Sequence, residues 1–334
     1  MLLGTSHNCL IIQIYDMIDV LTEIIATSEN RLDALIASQV SGISRSKAQK
    51  LIKNGKVKVS GNKMTKTAFH VKQGDEVIVE AEKEEEKSDL KPAGLRLKVL
   101  YEDPACLVID KPAGIAVHPS PTSKEDEKTI LHGVAHLFKK EKIKFTEDAV
   151  LVHRLDRDTT GCLLIAKNAV AHKQLQKQFE ERTVSKTYLA IVAGVPNPAS
   201  AVIDAPIGRN LTDRTKMSVL KTSVSREART TYRTLDATDR TALLSCDLHT
   251  GRTHQIRVHL SSIGHPILGD PTYLSHSSDN LSKEMKIKNL CLHAFKLKFV
   301  SPADGQEHEI EAPVPADFKD ALRKCQVSCD KFQL

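Results

Sequence analysis

Residues 82–94 cut the chain in two. Glu82-Lys83-Glu84-Glu85-Glu86-Lys87-Ser88-Asp89 carries no apolar side chain, and Lys91-Pro92-Ala93-Gly94 follows with both residues that interrupt regular structure most strongly. Such a segment has nothing to bury and reads as a charged, flexible linker over residues 81–94. The 334 residues therefore divide into a small module and a larger one, the second long enough for a sizeable core. The expected layout is an N-terminal extension over 1–29, a module over 30–80, the linker, a second module over 95–325, and a tail over 326–334.

In the first module Arg31 to Ile36 begins a helix, with Asn30 as its N-cap. Ser44 caps a second helix from Arg45 to Asn54, and Gly55 ends it where a left-handed residue is needed. Ala48, Leu51 and Ile52 recur at helical spacing and face inward, while Lys47, Lys50 and Lys53 point elsewhere. Strands are expected at 57–59 and 76–79. Between Asp33 and Asp75 no acidic residue occurs, yet Arg45, Lys47, Lys50, Lys53, Lys56, Lys58, Lys63, Lys66 and Lys72 accumulate. A one-sign face repels itself unless a polyanion neutralises it. The pattern R-L-D-x-L, then S-R-S-x-A-x-x-L-I-x-x-G-x-V-x-V-x-G, resembles the alpha-L RNA-binding module of a small-subunit ribosomal protein. The resemblance implies RNA binding through Arg45, Lys47, Lys50 and Lys53.

The second module reads as strands with few helices. Strands are expected at 97–101, 106–110, 187–192, 229–235, 242–248, 289–300 and 308–312, and helices at 129–138, 168–181, 254–263 and 317–324. Without regular crossover helices, the pattern predicts an α+β fold around a mixed, largely antiparallel sheet. Residues 120–128 read as a mobile loop. His132 and His136 have the spacing of a zinc helix, but no adjacent Glu or third ligand accompanies them, so no metal is expected. The densest chemistry is His153-Arg154-Leu155-Asp156-Arg157-Asp158-Thr159-Thr160-Gly161. It is read as a polar loop between strand-like apolar segments at 149–152 and 162–166, the way a scaffold holds reactive groups on a rigid rim.

Composition excludes more than it selects. Net charge is +6, mildly basic and compatible with a polyanionic partner. Seven scattered cysteines form no C-x-x-C pair, which argues against a disulfide framework or zinc site and for a reducing, cytoplasmic setting. Residues 1–27 lack the flanks of an export signal, no apolar run reaches the ~20 residues of a membrane span, and Met17 is a candidate start. No membrane association is expected.

Four blocks in order carry a second resemblance: Y-E-D-x-x-x-L-V-I-D-K-P-A-G from Tyr101, H-R-L-D-x-x-T-x-G from His153, K-T-Y-L-A from Lys186, and T-G-R-T-H-Q-I-R-V-H-L-x-x-x-G-H-P-I-L-G-D-x-x-Y from Thr250. Together they resemble the RluA-type family of pseudouridine synthases. The resemblance implies isomerisation of uridine in RNA, with large-subunit ribosomal RNA or a ribosomal precursor particle as partner. Because that isomerisation oxidises nothing and imports no group, no cofactor is expected; nor is DNA binding, and a monomer is expected. Asp156 is then the essential aspartate, as nucleophile or as base toward the ribose. Tyr188 stacks on the uracil and helps remove the proton from carbon 5, and Arg257 holds the aspartate charged. Arg154 matches the position that fills the space of the extruded base; a phosphate contact or an ion pair with Asp158 are its alternatives. His153 is placed at the substrate, although a role in ordering the loop weighs more. Around Ser225-Arg226-Glu227-Ala228 many relatives carry Gly-Lys before the Ala, so that turn or its RNA contact differs here.

Two other readings compete. A non-catalytic RNA-binding or ribosome-assembly factor would not need Asp156, Tyr188 and Arg257 together. A phosphotransferase, suggested by His-Arg-Leu-Asp, would need a Gly-rich motif and a metal-binding Asp-Phe-Gly that are missing.

Overall fold

The computed structural model describes residues 12–15, 19–40, 43, 45–82, 90, 92–119, 127–213, 216–219 and 224–328. They fall into two compact units, Met1–Lys87 and Ser88–Leu334, divided inside the expected linker. Ser44, the residues 120–126 read as a mobile loop, and most of the linker lie outside the described residues.

The first unit comprises β1 (Ile12–Tyr15), β2 (Asp19–Ile25), β3 (Asn30–Arg31), α1 (Leu32–Gln39), α2 (Arg45–Lys53), β4 (Val57–Val59), β5 (Asn62–Lys63), β6 (His70–Val71) and β7 (Glu76–Glu82). Its sheet runs β1-β2-β7-β4-β5. Residues 19–25, read from sequence as part of an extension, pair along their whole length with β7. The N-cap of α1 is Arg31, not Asn30, whose backbone instead pairs with Val71 in a short bridge to β6. Leu32, Ile36, Ala48, Ile52, Val57 and Val77 form a dry core. Asp33 is wholly buried and accepts from Arg31, Arg45 and Gln49, the guanidinium of Arg31 being foremost in holding its carboxyl far below the usual range. Arg45 is therefore tied into the module. Lys50 and Lys53 stay exposed on α2, and Lys47 is partly covered.

The second unit comprises β8 (Lys98–Glu102), β9 (Cys106–Lys111), α3 (Ile130–Glu141), β10 (Thr160–Ala166), α4 (Ala169–Glu180), β11 (Ser185–Ala193), β12 (Ser200–Asp204), β13 (Ile207–Arg209), β14 (Met217–Val219), β15 (Arg229–Ala237), β16 (Thr241–Leu248), α5 (Gln255–Ser262), α6 (His276–Glu284), β17 (Leu292–Val300), β18 (Glu307–Glu311) and α7 (Ala316–Cys325). Its main sheet runs β12-β15-β16-β11-β17-β10-β9-β8, with β18 on β17. Every pairing is antiparallel except the two-residue contact of β10 with β17. The fold is thus α+β around a largely antiparallel sheet.

Strand periodicity explains why the central strands read as unbroken apolar runs. Leu107, Ile109, Leu163 and Ile165 face a core that α3 and α7 cover with Ile130, Phe138 and Phe318. Their alternating neighbours Cys106, Val108, Cys162 and Leu164 face a second core with Leu175 of α4 and Phe299. Both faces are dry, so no polar alternation survives. Residues 149–152 do not form the expected strand. Glu147–Ala149 make a short 3-10 turn, and Leu151 touches the sheet as an isolated bridge to Ile165. His132 is occupied by capping α3: its Nδ1 accepts the Thr129 N–H at 3.1 Å. Among the described residues no helix is long and apolar enough to cross a membrane.

Candidate active site

The loop between Val152 and β10 is held at both ends and underneath. Leu155 is buried in the main core, and the Thr159 N–H donates to the Asp156 carbonyl at 3.2 Å, closing a tight turn that starts at Asp156. Gly161 follows with φ +107°, and a Cβ there would lie 2.2 Å from the Ala294 carbonyl oxygen, so β17 can approach only a glycine. Beneath the loop the ammonium of Lys111, itself inaccessible to solvent, donates to the carbonyls of Pro112 at 2.7 Å, Ile115 at 2.9 Å and Arg157 at 2.7 Å. Burial brings this lysine down to about 8, opposed by the charges of Asp158 and Asp156. Three carbonyls satisfy its three donors and tie the loop to the end of β9.

His153 faces inward. Its Nε2 accepts the Leu164 N–H at 2.9 Å and its ring stacks on Phe179 of α4 with centroids 4.7 Å apart. Burial, with Lys186 nearby, pulls it down to about 3, so it stays neutral and orders the loop. Arg154 is exposed, and among the described residues no hydrogen bond or ion pair holds its side chain; the alternative of a pair with Asp158 is not realised. Arg157 pairs with Glu127.

Asp156 stands at a cleft of about 450 Å³ whose lining includes Arg154, Tyr188, His254 and Arg257. Arg257, on the first turn of α5, lies between two carboxylates. Its Nη1 donates to Asp156 Oδ2 at 3.2 Å, while Nε and Nη2 grip Asp270 in a fork of two 2.8 Å bonds. Burial opposes the guanidinium's charge, but the two carboxylates outweigh it and Arg257 is held firmly cationic. Burial likewise pushes Asp270 up, yet Arg257 and the N–H groups of Thr272 and Tyr273 outweigh it and set the carboxyl below its ordinary value.

A second chain of contacts reaches Asp156 from the other side. The Met217 N–H donates to the Tyr273 hydroxyl oxygen at 2.9 Å, and the same hydroxyl shares a hydrogen bond with His254 Nδ1 at 2.7 Å. His254 Nε2 lies 4.0 Å from Asp156 Oδ1. The Tyr273 ring also lies under the Arg257 guanidinium, 5.0 Å away. His254 adopts φ +57° at the start of α5, a left-handed setting that bulky residues hold only when packing imposes it. Gln255 fixes the turn before the helix, accepting from Thr250 and Arg252 and donating to Arg229 and Thr230.

Tyr188 lies on β11, its side chain nearly covered but lining the cleft. Burial raises its hydroxyl above the ordinary phenol value, and the charge of Asp156 adds to that. Among the described residues this hydroxyl makes no hydrogen bond, which leaves it for a molecule in the cleft. Asp156, Tyr188 and Arg257, selected from three separate motifs, thus line one cleft. Sequence reasoning did not assign roles to Lys111, His254, Asp270 and Tyr273, although each sits inside a quoted motif. The lone lysine closing an apolar strand was the available signal for Lys111. At the divergent turn, Arg226 and Ile207 exchange two backbone hydrogen bonds.

An aspartate gripped by a cation, a protonated phenol and room for a planar ring can act on a sugar–base bond and on a ring proton. Comparison with known proteins agrees. The family described as RNA pseudouridylate synthase matches residues 105–262, and the S4 domain matches residues 30–77. An uncharacterized RNA pseudouridine synthase of Aquifex aeolicus is 38% identical, covering 87% of this chain and 92% of its own length. A ribosomal large subunit pseudouridine synthase D of Nitrosomonas europaea is also 38% identical, covering 88% and 83%. The solved structure of human RNA pseudouridylate synthase domain containing 4 superposes with a TM-score of 0.55 at 29% identity, over 69% of this chain and 94% of that one. The chain belongs to the RNA pseudouridine synthase family, whose members isomerise uridine to pseudouridine in RNA, and it carries an N-terminal RNA-binding S4 domain.

Proposed function

We propose that this protein converts particular uridines of large-subunit ribosomal RNA to pseudouridine, with Asp156, Tyr188 and Arg257 as its catalytic groups. The observation that carries the reading is Arg257, anchored on buried Asp270 and reaching Asp156 at the cleft. Relatives named for the large ribosomal subunit, including that of Vibrio cholerae at 37% identity, favour ribosomal RNA as substrate. The isomerisation breaks the bond from ribose carbon 1′ to ring nitrogen 1 and joins carbon 1′ to carbon 5. The proton on carbon 5 leaves and nitrogen 1 gains one, so nothing is oxidised or imported.

Asp156 acts on the ribose side, as nucleophile at carbon 1′ or as base toward the sugar. Both roles need a carboxylate held toward the sugar, and the bond from Arg257 Nη1 at 3.2 Å orients it. Burial keeps the Tyr188 hydroxyl protonated, so it takes up the carbon-5 proton only while passing its own to water or a carboxylate in the cleft. The target base must leave its stack at a cost of a few kcal/mol, and exposed Arg154 is placed to occupy the vacated space. The S4 domain supplies sequence-independent grip through Lys50 and Lys53. The protein works in the cytoplasm, which suits the free buried thiols Cys106, Cys162, Cys246, Cys291 and Cys325.

Pseudouridine mapping by primer extension tests the substrate. Unmodified large-subunit transcript incubated with the protein should acquire stops at few positions, and the same stops should vanish from cells lacking the gene. Stops confined to transfer or small-subunit RNA would overturn the assignment.

A further inference from the structure

Lys186, two residues before Tyr188 on the same strand, is a cation in the cleft with no anion of its own. It is partly buried, and among the described residues no carboxylate pairs with it and no acceptor receives its protons. Its ammonium lies 5.6 Å over the ring of Phe179, which also stacks with the imidazole of His153. Burial, joined by the repulsion of Arg182, lowers this lysine to about 8. Arg182 itself is neutralised by Glu227, whereas Arg252 donates its Nε to the Glu227 backbone carbonyl. A half-desolvated, uncompensated ammonium beside the catalytic tyrosine calls for an anion from outside the chain. The same side chain also lines a shallower depression that continues past Arg229 and His249, away from Asp156.

We infer that Lys186 is the seat of one RNA backbone phosphate next to the target uridine, fixing the strand so that the extruded base enters between Asp156 and Tyr188. This deepens the reading above and rests on it. A phosphate fits because it supplies the missing charge and acceptor oxygens in one group, and because an RNA strand whose base lies against Tyr188 must carry a phosphate a few ångströms from that base. The ring of Phe179 orients the ammonium without neutralising it.

The test uses the full-length protein and a short RNA that contains a converted uridine labelled with tritium on carbon 5, made also with single methylphosphonates on either side of that uridine. Lys186→Met keeps the stem and removes the charge; Lys186→Arg keeps the charge. For Lys186→Met the expected result is an affinity roughly tenfold weaker, a salt slope of binding reduced by about 0.7, and a melting temperature unchanged or raised. Lys186→Arg should restore the salt slope. One methylphosphonate should weaken binding to the wild type and have no further effect on Lys186→Met, the signature of a direct pair. Wild-type tritium release with a Lys186→Met affinity and salt slope equal to wild type would overturn the phosphate site alone. So would a loss in Lys186→Met that every methylphosphonate compounds equally. A wild-type protein that binds this RNA but releases no tritium would overturn the functional reading itself, and the inference with it.

Discussion

Arg257 is held more tightly by the carboxylate it does not serve chemically than by the one it does. Its two 2.8 Å bonds to Asp270 fix the guanidinium, and the single 3.2 Å bond to Asp156 leaves that carboxylate free to engage substrate. Asp270→Asn should therefore cost about 3–5 kcal/mol of stability, because a buried cation loses its partner; urea denaturation measures it. The pH dependence has a definite sign. Asp270's carboxyl lies below its ordinary value in the folded state, so the stability it contributes is complete above the unfolded value near 3.9 and drains as pH falls through the lower folded one. An acid titration of stability should flatten in Asp270→Asn; an unchanged profile would remove Asp270 from this role. Tyr188→Phe should lower kcat by roughly 10²–10⁴-fold with RNA affinity kept, and equal kcat values would mean the ring alone is used. Asp156, Tyr188 and Arg257 were legible because each sits in a recognisable motif. Asp270 and Lys111 sit in such motifs too, but their partners, the Arg257 guanidinium and three backbone carbonyls, are brought to them by the fold and are not encoded in spacing along the chain.

Helix α2 and helix α5 illustrate how far pattern alone carries. Both were read within a residue or two of their observed ends, because apolar spacing and the glycines Gly55 and Gly264, at φ +68° and +86°, mark them. The segment at 149–152 was misread as a strand for a physical reason: β10 already pairs with β9 over Gly161 to Ala166, and the incoming chain crosses its free edge at Leu151 instead of running beside it. Strand β2 was missed because no turn signal or strong alternation sets 19–25 apart from the residues before it. On α2 the acid-free basic run resolves into unequal parts, with Arg45 committed to Asp33 while Lys50 and Lys53 remain exposed. Reversing both, as Lys50→Glu with Lys53→Glu, should weaken RNA binding and shrink the salt slope by about 1–2. It should leave kcat at saturating RNA unchanged. An unaltered slope in a salt titration would show that this face does not meet RNA.

At the scale of the molecule, the sequence separated the chain into two units at a run of charges with no apolar side chain, and the division at Lys87 falls inside it; the Pro/Gly end beyond it packs, with the Ala93 N–H donating to the His132 carbonyl at 3.1 Å. Each unit has its own dry core, so binding and chemistry can be perturbed separately. The larger sheet brings three sequence-distant motifs to one cleft: the loop before β10, the middle of β11 and the start of α5. On the proposed function, the carboxylate delivered there does the chemistry. Tritium release from carbon 5 of uridine in ribosomal RNA, followed in a single turnover for the wild type and for Asp156→Asn, tests it most directly. Release is expected from the wild type and none above background from Asp156→Asn at RNA occupancy verified as equal. Release by Asp156→Asn at a rate comparable to the wild type would contradict it.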